Sequence, residues 1–133
     1  MPRVPVPPEV DAFLARPNPA VVATVSPSGA PHTAATWYDW EDGRVLLNMD
    51  ESRLRLHYMR RNPAVALTVL GDDTWYAQVT LLGRVVSIED DPDLAGIDRL
   101  SIRYYGEPFH ARDARRVTAW MEPERWTSWP LPQ

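Results

Sequence analysis

The 133-residue chain holds 14 basic and 18 acidic side chains for a net charge of −4, with 44% hydrophobic and 24% charged residues; this describes one globular domain and argues against a non-specific nucleic-acid binder. It has no cysteine, which excludes disulfides, thiolate metal ligands and a catalytic thiol. Every basic residue is Arg, which excludes Schiff-base lysine chemistry and a Walker-type phosphate lysine.

Residues 1–8 read as an extended Pro-rich arm and residues 9–133 as the folded domain. A short helix opens that domain, with Pro8 near its first turn and Val10, Phe13 and Leu14 on one face. Pro17 and Pro19 end it, and residues 20–25 read as a strand. Ser26-Pro27-Ser28-Gly29 signals a turn; residues 32–40, with Thr33, Thr36, Trp37 and Tyr38, read as a second strand. Glu41-Asp42-Gly43 turns the chain into a third strand at 45–49, so the first three strands form a meander. Residues 51–61 predict a helix in which Leu54 and Tyr58 share a buried face, stopped by Asn62-Pro63.

Residues 64–70 form an apolar strand. Gly71-Asp72-Asp73 then turns into a long strand at 75–89 that Gly83 bulges or bends. Asp91-Pro92 predicts an N-cap and a first-turn proline for a helix that buries Leu94, Ile97, Leu100 and Tyr104 and stops at Gly106. Residues 116–122 alternate, with Val117, Ala119 and Met121 on one face, as a last strand. Hairpins dominate and no βαβ series appears. The prediction is a mainly β (α+β) fold: a six-stranded antiparallel barrel with short helices covering its openings. The apolar runs are strand-length, far below the roughly 20 residues of a membrane-spanning helix. Residues 1–8 lack the apolar run of a signal peptide, so a cytoplasmic protein that works off the membrane is expected.

The richest stretch for chemistry is Asn48-Met49-Asp50-Glu51-Ser52-Arg53-Leu54-Arg55, where a strand ends and a helix begins. A helix start offers unpaired N–H groups to an anion, Ser52 adds a hydroxyl, and Arg53 and Arg55 add two forked cations. The bland alternative is a pair of solvated arginines. Arg60-Arg61 extends the basic rim or is solvated in the same way. Glu89-Asp90-Asp91 lacks a nearby His to support a metal site, and His32, His57 and His110 show no ligand spacing. Neither a Gly-x-Ser-x-Gly elbow nor a G-x-G-x-x-G fingerprint is present. Six Trp is many for this length. Trp37, Trp40, Trp75, Trp126 and Trp129 fall near strand ends or outside the predicted core faces, where aromatics suit a flat heterocycle or a subunit interface.

From Ala20 to about Trp126 the chain resembles the flavin and deazaflavin oxidoreductases of split β-barrel fold, the superfamily of pyridoxamine 5′-phosphate oxidase. The pieces that carry the resemblance are Val22-Ala23-Thr24-Val25-Ser26-Pro27-Ser28-Gly29-Ala30-Pro31-His32, Trp37-Tyr38-Asp39-Trp40-Glu41-Asp42-Gly43, Ser52-Arg53-Leu54-Arg55, Arg60-Arg61-Asn62-Pro63-Ala64-Val65-Ala66-Leu67 and Gly83-Arg84-Val85. Their order and spacing are most similar to the branch that uses the deazaflavin coenzyme F420. That branch usually shows Arg-x-Lys and then Asn-Leu-Arg-Arg-Asp-Pro; here Arg55 stands for the Lys, Tyr58-Met59 for Asn-Leu and Asn62 for the Asp. The resemblance implies a homodimer with two cofactor sites between subunits. It implies that Arg53 and Arg55 hold the cofactor phosphate, and that Asn48, Met49 and Ser52 line the ribityl chain and ring edge. His32, Ala35 and Trp37 would back the ring, and Trp75, Tyr76 and Gln78 would close the site from the partner subunit.

The function so implied is hydride transfer from reduced F420 to a small unsaturated substrate, with Tyr38, Tyr104 or a water donating the proton. The cofactor carries the reactive atom and the protein supplies binding, orientation and a dry pocket, so no catalytic residue is assigned. The alternatives are an FMN enzyme resembling pyridoxamine phosphate oxidase and a non-catalytic protein that holds a flavin or haem.

Overall fold

The computed structural model describes residues 1–130; residues 131–133, the end of the predicted domain, lie outside the described residues. In chain order the elements are α1 (Pro8–Leu14), β1 (Ala20–Val25), β2 (Pro31–Thr36), β3 (Asp39–Glu41), β4 (Arg44–Asp50), α2 (Leu54–Arg61), β5 (Ala64–Leu70), β6 (Gln78–Asp90), α3 (Ala95–Tyr105) and β7 (Arg116–Trp129). Among the described residues no helix is long and apolar enough to cross a membrane.

The predicted second strand is two strands. β2 pairs with β1 and stops at Thr36; β3 pairs with β4. Between them Tyr38 is fully buried, and its hydroxyl donates to the carbonyls of Leu14 (2.8 Å) and Arg16 (3.0 Å) behind α1. That anchor pulls the chain off β1 and sends it across the molecule. At the far side Asp42 and Gly43, with φ of 51° and 74°, make the two-residue turn with positive φ at both positions that suits the twist of a hairpin.

The expected meander is therefore two hairpins at opposite ends of one sheet, in the order β2-β1-β5-β6-β7-β4-β3. All neighbours pair antiparallel. This corrects the predicted six-stranded barrel: among the described residues there are seven strands in a single open sheet, whose end strands β2 and β3 do not pair with each other.

β6 and β7 are the long central pair. β7 continues past the predicted end at Glu122 to Trp129, because its first half pairs with β4 while its whole length runs along β6. β6 begins at Gln78, which leaves Trp75 and Tyr76 in the preceding turn. The register shifts between Leu82 and Gly83, opposite Pro123. Proline cannot donate to a ladder, and a Cβ at position 83 would collide with the Glu122 carbonyl oxygen, so glycine suits this close approach. The N-terminal arm lies along β7, with the Val4 N–H donating to Glu124 O and the Trp126 N–H to Pro2 O, both at 3.1 Å.

Two helix predictions need correction. α2 starts at Leu54, not at residue 51, because Asp50 ties the intervening turn: its carboxylate accepts from the Ser52 N–H (3.0 Å) and hydroxyl and pairs with Arg53 at 3.0 Å. That start turns Leu56 and Met59 inward, while Leu54 is exposed and Tyr58 half-buried. α3 starts at Ala95, after Leu94 in the left-handed region at φ 61°. Asp91 still serves the helix start, accepting from the N–H groups of Gly96 (3.0 Å) and Ile97 (3.1 Å). Leu94, Ile97 and Leu100 are buried as expected, with Ser101, while Tyr104 is half-buried; Gly106 ends the helix at φ 81°.

The main core joins alternate residues of the sheet, such as Val22, Leu47, Leu67, Leu81 and Met121, to α1 and α2. α2 packs on β1 and β2, and α3 on β4 and β7. Helices over both sheet ends frame the space described next.

Candidate functional site

A cavity of about 480 Å³ is lined by residues from both ends of the strand order: Ala35 and Thr36 of β2, Asn48 of β4 and Arg116 of β7. Arg55 of α2 and Ile97, Leu100 and Tyr104 of α3 complete it, with Pro17, Pro19 and Ala20 at the entry to β1, and Trp37 and Phe109 from loops. Because β2 and β4 are far apart in the pairing order yet share this wall, the open sheet curls until its ends face each other across the cavity. The volume falls in the roughly 300–1,000 Å³ range of small-molecule sites.

One wall is aromatic. Trp37 stacks on Tyr104 with ring centroids 5.5 Å apart and planes inclined by 13°, and meets Tyr105 and Phe109 edge-on at 5.4 and 6.0 Å. The Tyr104 hydroxyl donates to Asn18 O (2.7 Å) and accepts from the Tyr38 N–H (3.4 Å), which fixes the ring; burial pushes its pKa above the ordinary tyrosine value. Tyr38 is likewise raised by burial. Both hydroxyls named as proton donors thus stay protonated, and both commit their proton to a backbone carbonyl.

The other wall is cationic. Arg55 forms no ion pair among the described residues, whereas Arg53 is paired with Asp50. Burial, then the neighbouring charge of Arg53, lowers the Arg55 pKa; the charge of Arg116 acts in the same direction. Arg116 is lowered by burial and by Arg53, offset in part by Asp50 and Asp91. Cations so placed gain most from an anion that enters the cavity.

The structure brings Ala35, Trp37, Asn48 and Arg55 to this cavity. The remaining predicted residues lie elsewhere. His32 is the second residue of β2, beside the β1–β2 turn, with its ring edge-on to Tyr58 at 5.8 Å. Met49 is buried in the core, and Ser52 turns onto Asp50. Trp75 and Tyr76 stack on each other at 5.0 Å in an exposed turn, and Gln78 begins β6 opposite Trp129.

Arg116, Phe109, Ile97 and Leu100 escaped the sequence reading as site residues. Ile97 and Leu100 follow a helical stripe that looks like any core face. Arg116 reaches the cavity through the Asp50–Arg116 pairing of β4 and β7, a long-range register that no local pattern encodes.

The family described as pyridoxamine 5′-phosphate oxidase matches residues 6–130. Among solved structures, an F420 reductase is 30% identical with a TM-score of 0.83, over 92% of this chain and 98% of its own. A conserved hypothetical protein from Mycobacterium tuberculosis is 24% identical (TM-score 0.73, 98% of this chain and 91% of its own). A putative pyridoxamine 5′-phosphate oxidase from Listeria innocua is 20% identical (TM-score 0.69, 90% and 94%). The last two share the fold. No curated protein matches.

Proposed function

Because the chain belongs to the pyridoxamine 5′-phosphate oxidase family, a family of flavin-binding oxidoreductases, we propose that it is an oxidoreductase that uses reduced F420 to reduce a small unsaturated substrate. The observation that carries this reading is Arg55: a half-buried cation that pairs with no carboxylate among the described residues, on the rim of a cavity with an aromatic wall. A phosphate-bearing, flat cofactor matches both features at once. The likeness to an F420 reductase at 30% identity supports the deazaflavin over FMN.

Within this reading Arg55 holds the cofactor's anionic tail, with Arg53 at the outer edge. Trp37 and Ala35 back the ring, Asn48 lines it, and the stacked Trp37–Tyr104 pair excludes water from one side. A reduced deazaflavin held by these residues would supply the hydride chemistry. The proton that completes the reduction comes from water, since Tyr38 and Tyr104 are both spent on carbonyls. A second copy of the chain brings Trp75, Tyr76 and Gln78 to the open side in a homodimer.

Fluorescence titrations with F420 and with FMN at one salt concentration test the proposal. The expected result is tighter binding of F420, which carries more negative charge over a longer reach. Equal or tighter binding of FMN transfers the proposal to an FMN enzyme of the same family.

A further inference from the structure

Asp91 is a buried carboxylate beside the cavity. Such a charge is costly unless its oxygens are satisfied. Asp91 accepts from the Gly96 and Ile97 N–H groups and, at 3.0 Å, from the Asn48 side-chain Nδ2. Asn48 Nδ2 also donates to the Thr118 hydroxyl at 3.0 Å. With both amide protons spent this way, the orientation of the amide is set by its partners, and Oδ1 is left as the acceptor. Arg116 Nε donates to that oxygen at 2.9 Å. The guanidinium also lies over the Phe109 ring, 5.0 Å from its centroid.

The chain is therefore buried carboxylate, amide, guanidinium, in that order, and it ends in a cavity. Arg116 forms no ion pair among the described residues, and Nε alone of its guanidinium nitrogens makes a hydrogen bond there. A ring stacked on one face and a hydrogen bond on Nε leave those nitrogens in a fixed fork, the arrangement that receives two oxygens of one anion. Gly96 belongs to the same construction. A Cβ there would collide with the Thr118 hydroxyl and lie 2.9 Å from Asn48 Nδ2 and 3.1 Å from Asp91 Oδ2.

We propose that Arg116 is an oxyanion-binding group of this cavity, positioned by Asp91 through Asn48, and that it receives a phosphate or carboxylate group of a ligand. The inference deepens the proposed cofactor site and rests on that reading for the ligand's identity, though not for the anion. Two sources carry the same chemistry: the phosphodiester of the cofactor, or an acidic group on the substrate. Asn48 and Asp91 are positioning residues in this scheme, since they reach the anion only through Arg116.

The test uses the full chain and four variants: Arg116→Ala, Arg116→Lys, Asn48→Ala and Asn48→Leu. Melting temperatures are read with increasing inorganic phosphate or acetate, and dissociation constants are read for F420 and for its phosphate-free deazaflavin riboside. Arg116→Ala is expected to melt close to the parent, being half-exposed, and to lose the anion-induced stabilisation. Arg116→Lys regains part of it, as a point charge without a fork. The Asn48 variants lower anion affinity by about 3–10-fold with Arg116 still present, an effect that a purely structural tie between α3 and the sheet does not produce.

If the oxyanion is the cofactor's, Arg116→Ala weakens F420 by about 10–100-fold and the riboside by less than about twofold, and bound F420 abolishes the phosphate effect. If it is the substrate's, F420 affinity is unchanged and phosphate or acetate still stabilises the F420-loaded protein in an Arg116-dependent way. The subsite is overturned if the anions act equally, or not at all, on the parent and Arg116→Ala while cofactor affinities stay within about twofold. Full anion affinity in both Asn48 variants overturns the positioning chain. Anion binding that depends on Arg116 in a protein that takes neither F420 nor FMN leaves the subsite standing and refutes the proposed cofactor.

Discussion

Replacing Gly96 by Ala sets two effects of opposite sign against each other. Position 96 lies in the first turn of α3, and helix propensity alone favours alanine over glycine by up to about 1 kcal/mol. The added methyl would meet the Thr118 hydroxyl, Asn48 Nδ2 at 2.9 Å and Asp91 Oδ2 at 3.1 Å. These atoms hydrogen-bond one another in a buried cluster, so none is the free end of a flexible side chain. Overpacking of this kind costs roughly 1–3 kcal/mol, and a lengthened hydrogen bond to the buried carboxylate adds roughly 1.5 kcal/mol. The net expectation is a loss of about 2 kcal/mol, or a fall in Tm of about 6–10 °C for a chain of this size. Denaturation in urea followed by tryptophan fluorescence measures it. A Gly96→Ala protein as stable as the parent, or more stable, would show that propensity wins and that the Asp91–Asn48–Thr118 cluster has room to give.

Tyr38→Phe removes one hydroxyl from behind α1, but the Leu14 and Arg16 carbonyls keep Arg103 as a donor at 3.2 and 2.7 Å. The expected cost is about 1 kcal/mol, a Tm drop of about 3–5 °C, with cofactor affinity unchanged; a drop beyond about 10 °C would contradict the shared anchoring. Asp50 is held below its ordinary value of 3.8, chiefly by the Ser52 hydroxyl. Its contribution to stability is complete above 3.8 and is lost as pH falls through the lowered value. Carboxyl-carbon NMR should therefore place its midpoint below 3.8, and a midpoint at or above that value refutes the turn described for it. Exposed Trp75, Tyr76 and Trp129 should be covered in a homodimer, which light scattering at micromolar concentration detects as twice the chain mass; a monomer with full cofactor affinity rules out a site shared between subunits.

Local patterns carried most of the elements. Short apolar runs mark β1 and β5, alternation marks the start of β7, the Asp42-Gly43 pair marks its hairpin, and Val10, Phe13 and Leu14 mark the face of α1. Gly83 was legible as a bulge because a strand tolerates a glycine poorly without such a reason. What failed was long-range. Nothing in residues 32–40 says that Tyr38 will anchor behind α1, so the break between β2 and β3 was invisible and the strand order came out as a meander. The start of α2 was set three residues late by Asp50, whose short-range partners compete with the helix.

The site divided along the same line. Arg55 and Asn48 sit near the strand-to-helix junction, Ala35 on β2 and Trp37 just past its end, where local signals and family resemblance pointed. Arg116 entered through sheet register, and Phe109 through the loop after α3. The buried chain from Asp91 to Arg116 joins residues far apart in sequence; from the sequence Asp91 reads as a helix cap, a role it does fill, while its hydrogen bond to Asn48 carries no local sign.

The most direct measurement compares F420 affinity in Arg55→Ala and Arg53→Ala. Arg55 lines the cavity and pairs with no carboxylate among the described residues, and Arg53 is already paired with Asp50. Loss of a charge-assisted hydrogen bond contributes roughly 1.5–3 kcal/mol, about one to two decades in Kd. The predicted result is a loss of about 10–100-fold for Arg55→Ala, a clearly smaller loss for Arg53→Ala, and unchanged melting temperatures. Affinity within about twofold of the parent in Arg55→Ala would contradict the placement of the cofactor's anion in this cavity.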